Sequence, residues 1–216
     1  MAHSIINAGN SRSFPDSQTL PAGVPVEESD VVVIVGNEVG AAFTRLANKE
    51  AKTAVLVELG SECLGVYTGE DRGREGSNVL GFARFRIGDA DPSNLVELVR
   101  QPNTAASAIA AAKQLFENAG LQVAVCLDFA GRIIDRLLRP YYNAALRRLD
   151  EGLASADDLD TTLKLGLGYP EGPIQLLERT GLAHHFDVTQ ALYEAYGDPA
   201  YAPARRARVA KQRQKT

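Results

Sequence analysis

The chain is poor in the residues that most often carry chemistry: 216 residues hold only two cysteines and three histidines, and no long apolar run. Cys63 and Cys126 give no disulfide framework, and Cys126, inside an apolar stretch, reads as a small core residue. No metal-ligand spacing occurs among the few His and Cys residues. No run is long enough to span a bilayer. Residues 1–30 are rich in Ser, Asn and Pro and lack both an apolar segment and clustered positive charge, which argues against a secretory signal. They read as a disordered tail, and the expected compartment is cytoplasmic. Among charges, a net value of −4 argues against nucleic acid as the main partner.

What is present is ordinary for a globular protein: 45% hydrophobic and 23% charged residues. This length accommodates one large domain or two small ones and buries about 70% of the unfolded surface. Four segments are expected: the tail, an α/β domain over 31–127, a helical domain over 128–203 and a basic tail over 204–216. Residues 205–215 carry six basic residues and no acid. A basic end can meet the phosphates of a ligand, an acidic partner or RNA, or be a solvated helix end.

The helical domain follows from periodicity. Ile133, Ile134, Leu137, Leu138, Tyr141, Ala145, Leu146 and Leu149 form one stripe, with Arg132, Arg136, Arg139, Arg147, Arg148 and Asp150 off it. Pro140 interrupts the pattern, and Gly152 closes it. Ser155 with Asp157 and Asp158 starts the next helix. Gly166, Gly168 and Tyr169-Pro170 end that helix, and Gly172-Pro173 opens another. A further helix runs from His184 to Gly197-Asp198-Pro199.

The first half reads as a worn nucleotide domain. Val31–Val35 is a buried-strand run, 36–40 a turn, 41–49 a short helix, and 54–59 a second strand ending near Glu58. A dinucleotide site needs G-x-G-x-x-G in that turn and an acid after the second strand. Here the three glycine places hold Val35, Asn37 and Gly40, with Gly36 out of register. The candidate NAD-contacting residues are therefore Gly36, Gly40 and Glu58. Residues 65–77 read as a polar surface loop. Strands at 78–85, 94–100 and 121–127, with an alanine-rich helix at 104–119, complete a parallel sheet of about five strands.

Two runs carry a resemblance: A-S-A-D-D-L-D at 154–160 and L-G-L-G-Y-P-E-G-P at 165–173. Together they resemble the C-terminal domain of the 3-hydroxyacyl-CoA dehydrogenases, NAD-dependent enzymes of fatty-acid and aromatic-acid breakdown. The likeness is close after Asp128 and weak before it, and is closest to the shortened second repeat of two-copy bacterial members. It implies a reduced Rossmann-like α/β domain followed by an all-α domain that forms the dimer interface and one side of the acyl-CoA cleft. It also implies a catalytic histidine held by a glutamate twelve positions later, and an asparagine on the first helix of the C-terminal domain. Glu97 matches the glutamate, Phe85 stands where the histidine is expected, and Asp135 holds the asparagine place. Glu171 stands where relatives often have an apolar residue.

Proton abstraction from a 3-hydroxyl needs a base, and Phe85 is none. His3 falls in the tail, and His184 and His185 begin a late helix. Glu97 is expected to pair with Arg84, Arg86 or Arg132, and Asp135 to lie beside Arg132 and Arg136. The expectation is a catalytically degenerate family member, without bound NAD, serving as a structural or partner subunit in acyl-CoA breakdown. It would act as a homodimer or with a catalytic relative. The alternatives are an active NAD-dependent 3-hydroxyacyl-CoA dehydrogenase and a non-catalytic acyl-CoA-binding module.

Overall fold

A computed structural model describes residues 1–15 and 20–214. The chain divides into two compact units, one of Met1–Arg86 with Pro92–Arg132, the other of Ile87–Asp91 with Ile133–Thr216.

The first unit is built on a six-stranded sheet: β1 (His3–Asn7), β2 (Val31–Val35), β3 (Ala54–Glu58), β4 (Val79–Arg84), β5 (Leu95–Arg100) and β6 (Gln122–Leu127). The strands lie side by side in chain order. All neighbours are parallel except β4 and β5, which run antiparallel through Gly81↔Val99 to Arg84↔Val96. The parallel sheet of about five strands expected from the sequence thus has a sixth strand, β1, and one antiparallel pair. The connection from β4 to β5 spans ten residues without a helix, so the chain turns back instead of crossing over.

The uninterrupted Val/Ile/Leu runs of β2 and β3 are buried on both faces, as parallel strands require. Val31, Val33, Val35, Leu56, Leu80, Phe82, Val96 and Leu98 meet α3 (Ala106–Asn118) through Ala108, Ala111, Ala112 and Phe116. The alternate residues Val32, Ile34, Val55, Val57, Val79 and Val99 meet α1 (Val39–Arg45). Phe14 joins the first layer, 6.0 Å from Phe82 and 6.4 Å from Phe116 between ring centres.

Residues 1–30 are therefore no tail throughout. Three apolar or small residues, Ser4-Ile5-Ile6, are too few to signal a strand alone, but β2 supplies a parallel partner from His3↔Val31 to Asn7↔Val35. Within 65–77 the expected loop contains a one-turn helix, α2 (Gly65–Thr68), whose start is held by Asp128: its carboxylate accepts from the Leu64 and Gly65 amides at 2.6 and 2.9 Å.

The second unit holds α4 (Ile134–Asp150), α5 (Ala156–Leu167), α6 (Pro173–Thr180), α7 (Leu182–Tyr196) and α8 (Arg205–Arg213). Its core gathers Tyr142, Leu146, Ile174, Leu177 and Ala204, with Ile87 from the short outlying segment. Ser155 caps α5 by accepting from the Asp158 amide at 3.1 Å, and Gly168 ends it at φ +71°. Asp160 on α5 accepts from the Ile174 and Gln175 amides at 2.9 and 2.8 Å, so it caps α6. A Cβ on Gly172 would fall 2.1 Å from the Asp160 carboxyl carbon. The two diagnostic runs are thus halves of one contact.

Residues 204–216 were expected as a tail; 205–213 instead form α8 against α7, with Arg205 and Arg206 on Asp150 and Lys211 on Asp187. Two acids elsewhere in the unit, Asp150 and Asp187, thus pair with three residues of a charge run that contains no acid of its own. Lys215 lies outside the described residues.

Candidate functional site

Glu97 sits in mid-strand on β5, 1% exposed. The antiparallel register places Ala83 directly opposite it on β4, and paired residues project to the same face. Counting twelve positions back reaches Phe85, which lies beyond the end of β4. The turn between the strands displaces the count, so the neighbour of Glu97 is Ala83. Neither alanine nor phenylalanine accepts a proton.

Arg132 takes the place beside Glu97. Its Nε donates to Glu97 Oε2 at 3.2 Å, and its Nη1 to the Gly60 carbonyl at 2.7 Å. Gly131 and Arg132 both adopt positive φ, +75° and +49°, and the Gly131 amide donates to the Ser61 carbonyl at 3.0 Å. For an arginine that conformation is uncommon; here it carries the guanidinium into a buried position, 7% exposed. Of the three partners expected for Glu97, the structure selects Arg132. Close by, burial and the Glu97 charge push the Cys126 thiol up to about 11, so it stays protonated.

Glu58 lies at the carboxyl end of β3, where a ribose-binding acid would stand, and is buried. One oxygen accepts from the Ser13 amide and the other from the Gly36 amide, each at 2.7 Å. The segment after β1 lies over the turn after β2: the Glu38 amide donates to the Ala8 carbonyl at 2.8 Å, and Asn37 Oδ1 accepts from the Asn10 amide at 3.0 Å. A Cβ on Gly36 would meet the Ala8 carbonyl at 2.4 Å, so that glycine admits the chain's own backbone. Gly40 backs onto the Tyr67 ring, which a Cβ would approach to 3.2 Å. The α1 helix begins with exposed Glu38, an acid where a pyrophosphate would need a positive helix end. Arg84 fastens the segment further, donating to the Ser13 carbonyl at 2.9 Å and lying over the Phe14 ring at 5.4 Å.

In the helical unit Asp135 pairs with Arg139, one turn along α4, at 2.7 Å, rather than with Arg132 or Arg136 as the sequence suggested. One turn of helix brings i and i+4 together, and the Arg139 side chain points inward. Arg139 contacts His185 Nδ1 at 3.2 Å, and His185 Nε2 meets Asn143 Oδ1 at 3.0 Å. Asn143 donates onward to the Ala200 and Ala202 carbonyls at 3.1 and 3.2 Å. Burial first, then the Arg139 charge, pushes His185 down to about 3, so its ring is neutral. This network ties α4, α7 and the 198–204 segment together. A helical-period reading shows the apolar stripe but not Arg139, which is buried because it is paired. His3, the remaining histidine outside this unit, opens β1 and contacts the Pro21 carbonyl at 3.0 Å.

The arrangement therefore comprises a doubly wound type of α/β unit, with its carboxylate-end crevice lined by the chain itself, and a helical unit carrying the linked Asp160/Gly172 motif. Residues 131–215 match the model of the 3-hydroxyacyl-CoA dehydrogenase C-terminal domain. The 3-hydroxybutyryl-CoA dehydrogenase of Bradyrhizobium diazoefficiens is 37% identical over 109 residues, 50% of this chain and 37% of that protein. The 3-hydroxyadipyl-CoA dehydrogenase of Escherichia coli K12 is 28% identical over 205 residues, 90% of this chain and 42% of that protein. Among solved structures, the (S)-3-hydroxybutyryl-CoA dehydrogenase of Ralstonia eutropha superposes with a TM-score of 0.70 at 26% identity, covering 84% of this chain and 64% of that one. Residues 131–215 thus carry the C-terminal domain of the 3-hydroxyacyl-CoA dehydrogenases, and the chain as a whole is similar to members of that family. It spans less than half the length of the two curated relatives. No helix among the described residues is long and apolar enough to cross a membrane.

Proposed function

We propose that this chain is a catalytically silent member of the family, a structural or partner subunit in acyl-CoA breakdown in the cytoplasm. One observation carries the reading: the buried Glu97 carboxylate is engaged by Arg132 and faces Ala83, so the place of a glutamate-held base contains a cation and a methyl group. An arginine does not release its proton at physiological pH and cannot accept another. The Glu58 carboxylate, which NAD would need, accepts instead from the Gly36 and Ser13 amides, which supports the absence of bound NAD. Association through the helical unit is supported by Leu137, Leu153, Leu165 and Leu167, which are solvent-exposed, Leu165 by 82%.

Titration calorimetry with NADH and, separately, acetoacetyl-CoA tests this on protein whose solution mass is measured alongside. Silence toward both ligands from a dimer is expected; micromolar NADH binding would sink the reading and restore an active NAD-dependent 3-hydroxyacyl-CoA dehydrogenase. Combining Ala83→His, Arg132→Leu and Asp135→Asn is expected to yield no NADH-linked turnover, because the crevice stays lined by residues 8–14.

A second reading, an acyl-CoA-binding module, is favoured by an apolar cavity of about 250 Å³ in the helical unit, lined by Leu138, Tyr141, Tyr142, Tyr169 and Leu176. The Tyr141 hydroxyl is buried there with no hydrogen-bond partner among the described residues. Acetoacetyl-CoA binding without NADH binding, lost in Tyr141→Phe, would select it.

A further inference from the structure

An edge strand presents unpaired backbone N–H and C=O groups to which another strand can add. Here β1 stands at the margin, with β2 on one side and no described strand on the other. The Ala2 carbonyl accepts from the Val31 amide at 3.1 Å and the Ala8 amide donates to the Val35 carbonyl at 2.7 Å, so the even-numbered residues face β2. Alternation then turns His3, Ile5 and Asn7 outward. The Val24 amide, donating to the His3 carbonyl at 2.8 Å, closes the first of these positions. The backbone groups of Ile5 and Asn7 remain on the open margin. Between them β1 carries no charged residue, no proline and no bulge, the usual protections of an edge.

A cavity flanks this edge on each face of the sheet. One, of about 610 Å³, is lined by Ile6, Val26 and Leu46; the other, of about 640 Å³, by Ile5, Phe14 and Leu20. A strand laid along β1 would send alternate side chains into the two grooves. The charged lining is mainly basic: Arg45 and Lys52 in the first, opposed by Glu27, and Arg86 in the second.

We propose that the outer edge of β1 receives an extended segment of another polypeptide, with apolar side chains alternating into both grooves and acidic residues at its ends. Main-chain pairing supplies affinity and the grooves supply selectivity, as in other strand additions. This rests on the partner-subunit reading and names the surface by which the partner is held.

The probe is the peptide acetyl-Glu-Glu-Val-Ile-Val-Val-Glu-Glu-amide, titrated into the full chain with amide exchange followed in parallel. Saturable binding with Kd below about 1 mM is expected, with slowed exchange at Ile5 and Asn7. Ile5→Pro removes an outward N–H without touching the β2 ladder and is expected to weaken binding at least about tenfold. N-methylation of the central valine and isoleucine of the peptide gives the same loss without altering the protein. No binding, or equal binding of the methylated peptide, overturns the proposal. Self-association of the chain that Ile5→Pro abolishes would assign the edge to a second copy and overturn it as well. NADH binding in the calorimetric experiment would remove the silent-subunit reading yet leave the peptide result intact, so the two failures are distinguishable.

Discussion

At Glu97 and Arg132 two charges sit away from water, joined in an ion pair, with Arg132 also donating to the Gly60 carbonyl. Breaking such a pair from one side leaves an uncompensated buried charge, which costs about 3–5 kcal/mol, whereas replacing both by apolar residues is often neutral or stabilising. Arg132→Leu is therefore expected to lower the urea midpoint sharply, and adding Glu97→Leu to recover most of it. Additive losses in the double-mutant cycle would refute the coupling. His185 gives a second test at this scale. Its folded pKa, about 3, lies below the ordinary 6.5, so the unfolded chain binds the proton more readily. The stability it secures is complete above pH 6.5 and falls as pH drops toward 3, by up to about 1.4 kcal/mol per pH unit. Unfolding at pH 7.5 and 5.5 should show this slope, and His185→Gln should flatten it; an unchanged slope would mean that other groups set the acid sensitivity.

Among elements, the joint between α5 and α6 is the most sharply defined. The Asp160 carboxylate holds the first turn of α6, and Gly172 lets it approach. Gly172→Ala keeps an accessible backbone conformation, φ −73°, but puts a methyl group into that carboxylate. A loss of about 1–3 kcal/mol is expected from the forced shift, and Asp160→Ala should lose about 1 kcal/mol through the cap. Thermal unfolding of the two variants and their combination checks it: once Asp160 is truncated, Gly172→Ala should cost less.

For the whole molecule, the exposed leucines of the helical unit predict association. Leu165→Glu with Leu167→Glu should shift the sedimenting species to a monomer while leaving circular dichroism unchanged. A monomeric parent protein would remove that surface from the argument. At this scale the limits of sequence reading also become visible. The helical unit was legible because caps, glycines and an apolar stripe are local signals, and its motif residues proved to touch one another. The α/β unit was less so. β1 depends on β2 for its existence, the β4–β5 reversal depends on a connection with no helix, and the partner of Glu97 depends on register. Arg132 was visible only as one of three possible cations, and Ser13 gave no signal, since an amide donor has no side-chain signature.

The side-by-side order of the six strands has a kinetic consequence. Each strand pairs with the one made just before it, so no finished pair must open to admit a later strand. In a sheet whose first strand is central, later strands must find a partner across residues already folded. Here the sheet can grow in one direction as the chain emerges, with loop-closure entropy incurred in small instalments. The chain can therefore lengthen its sheet at the pace of synthesis, and β6, the last strand added, closes the register.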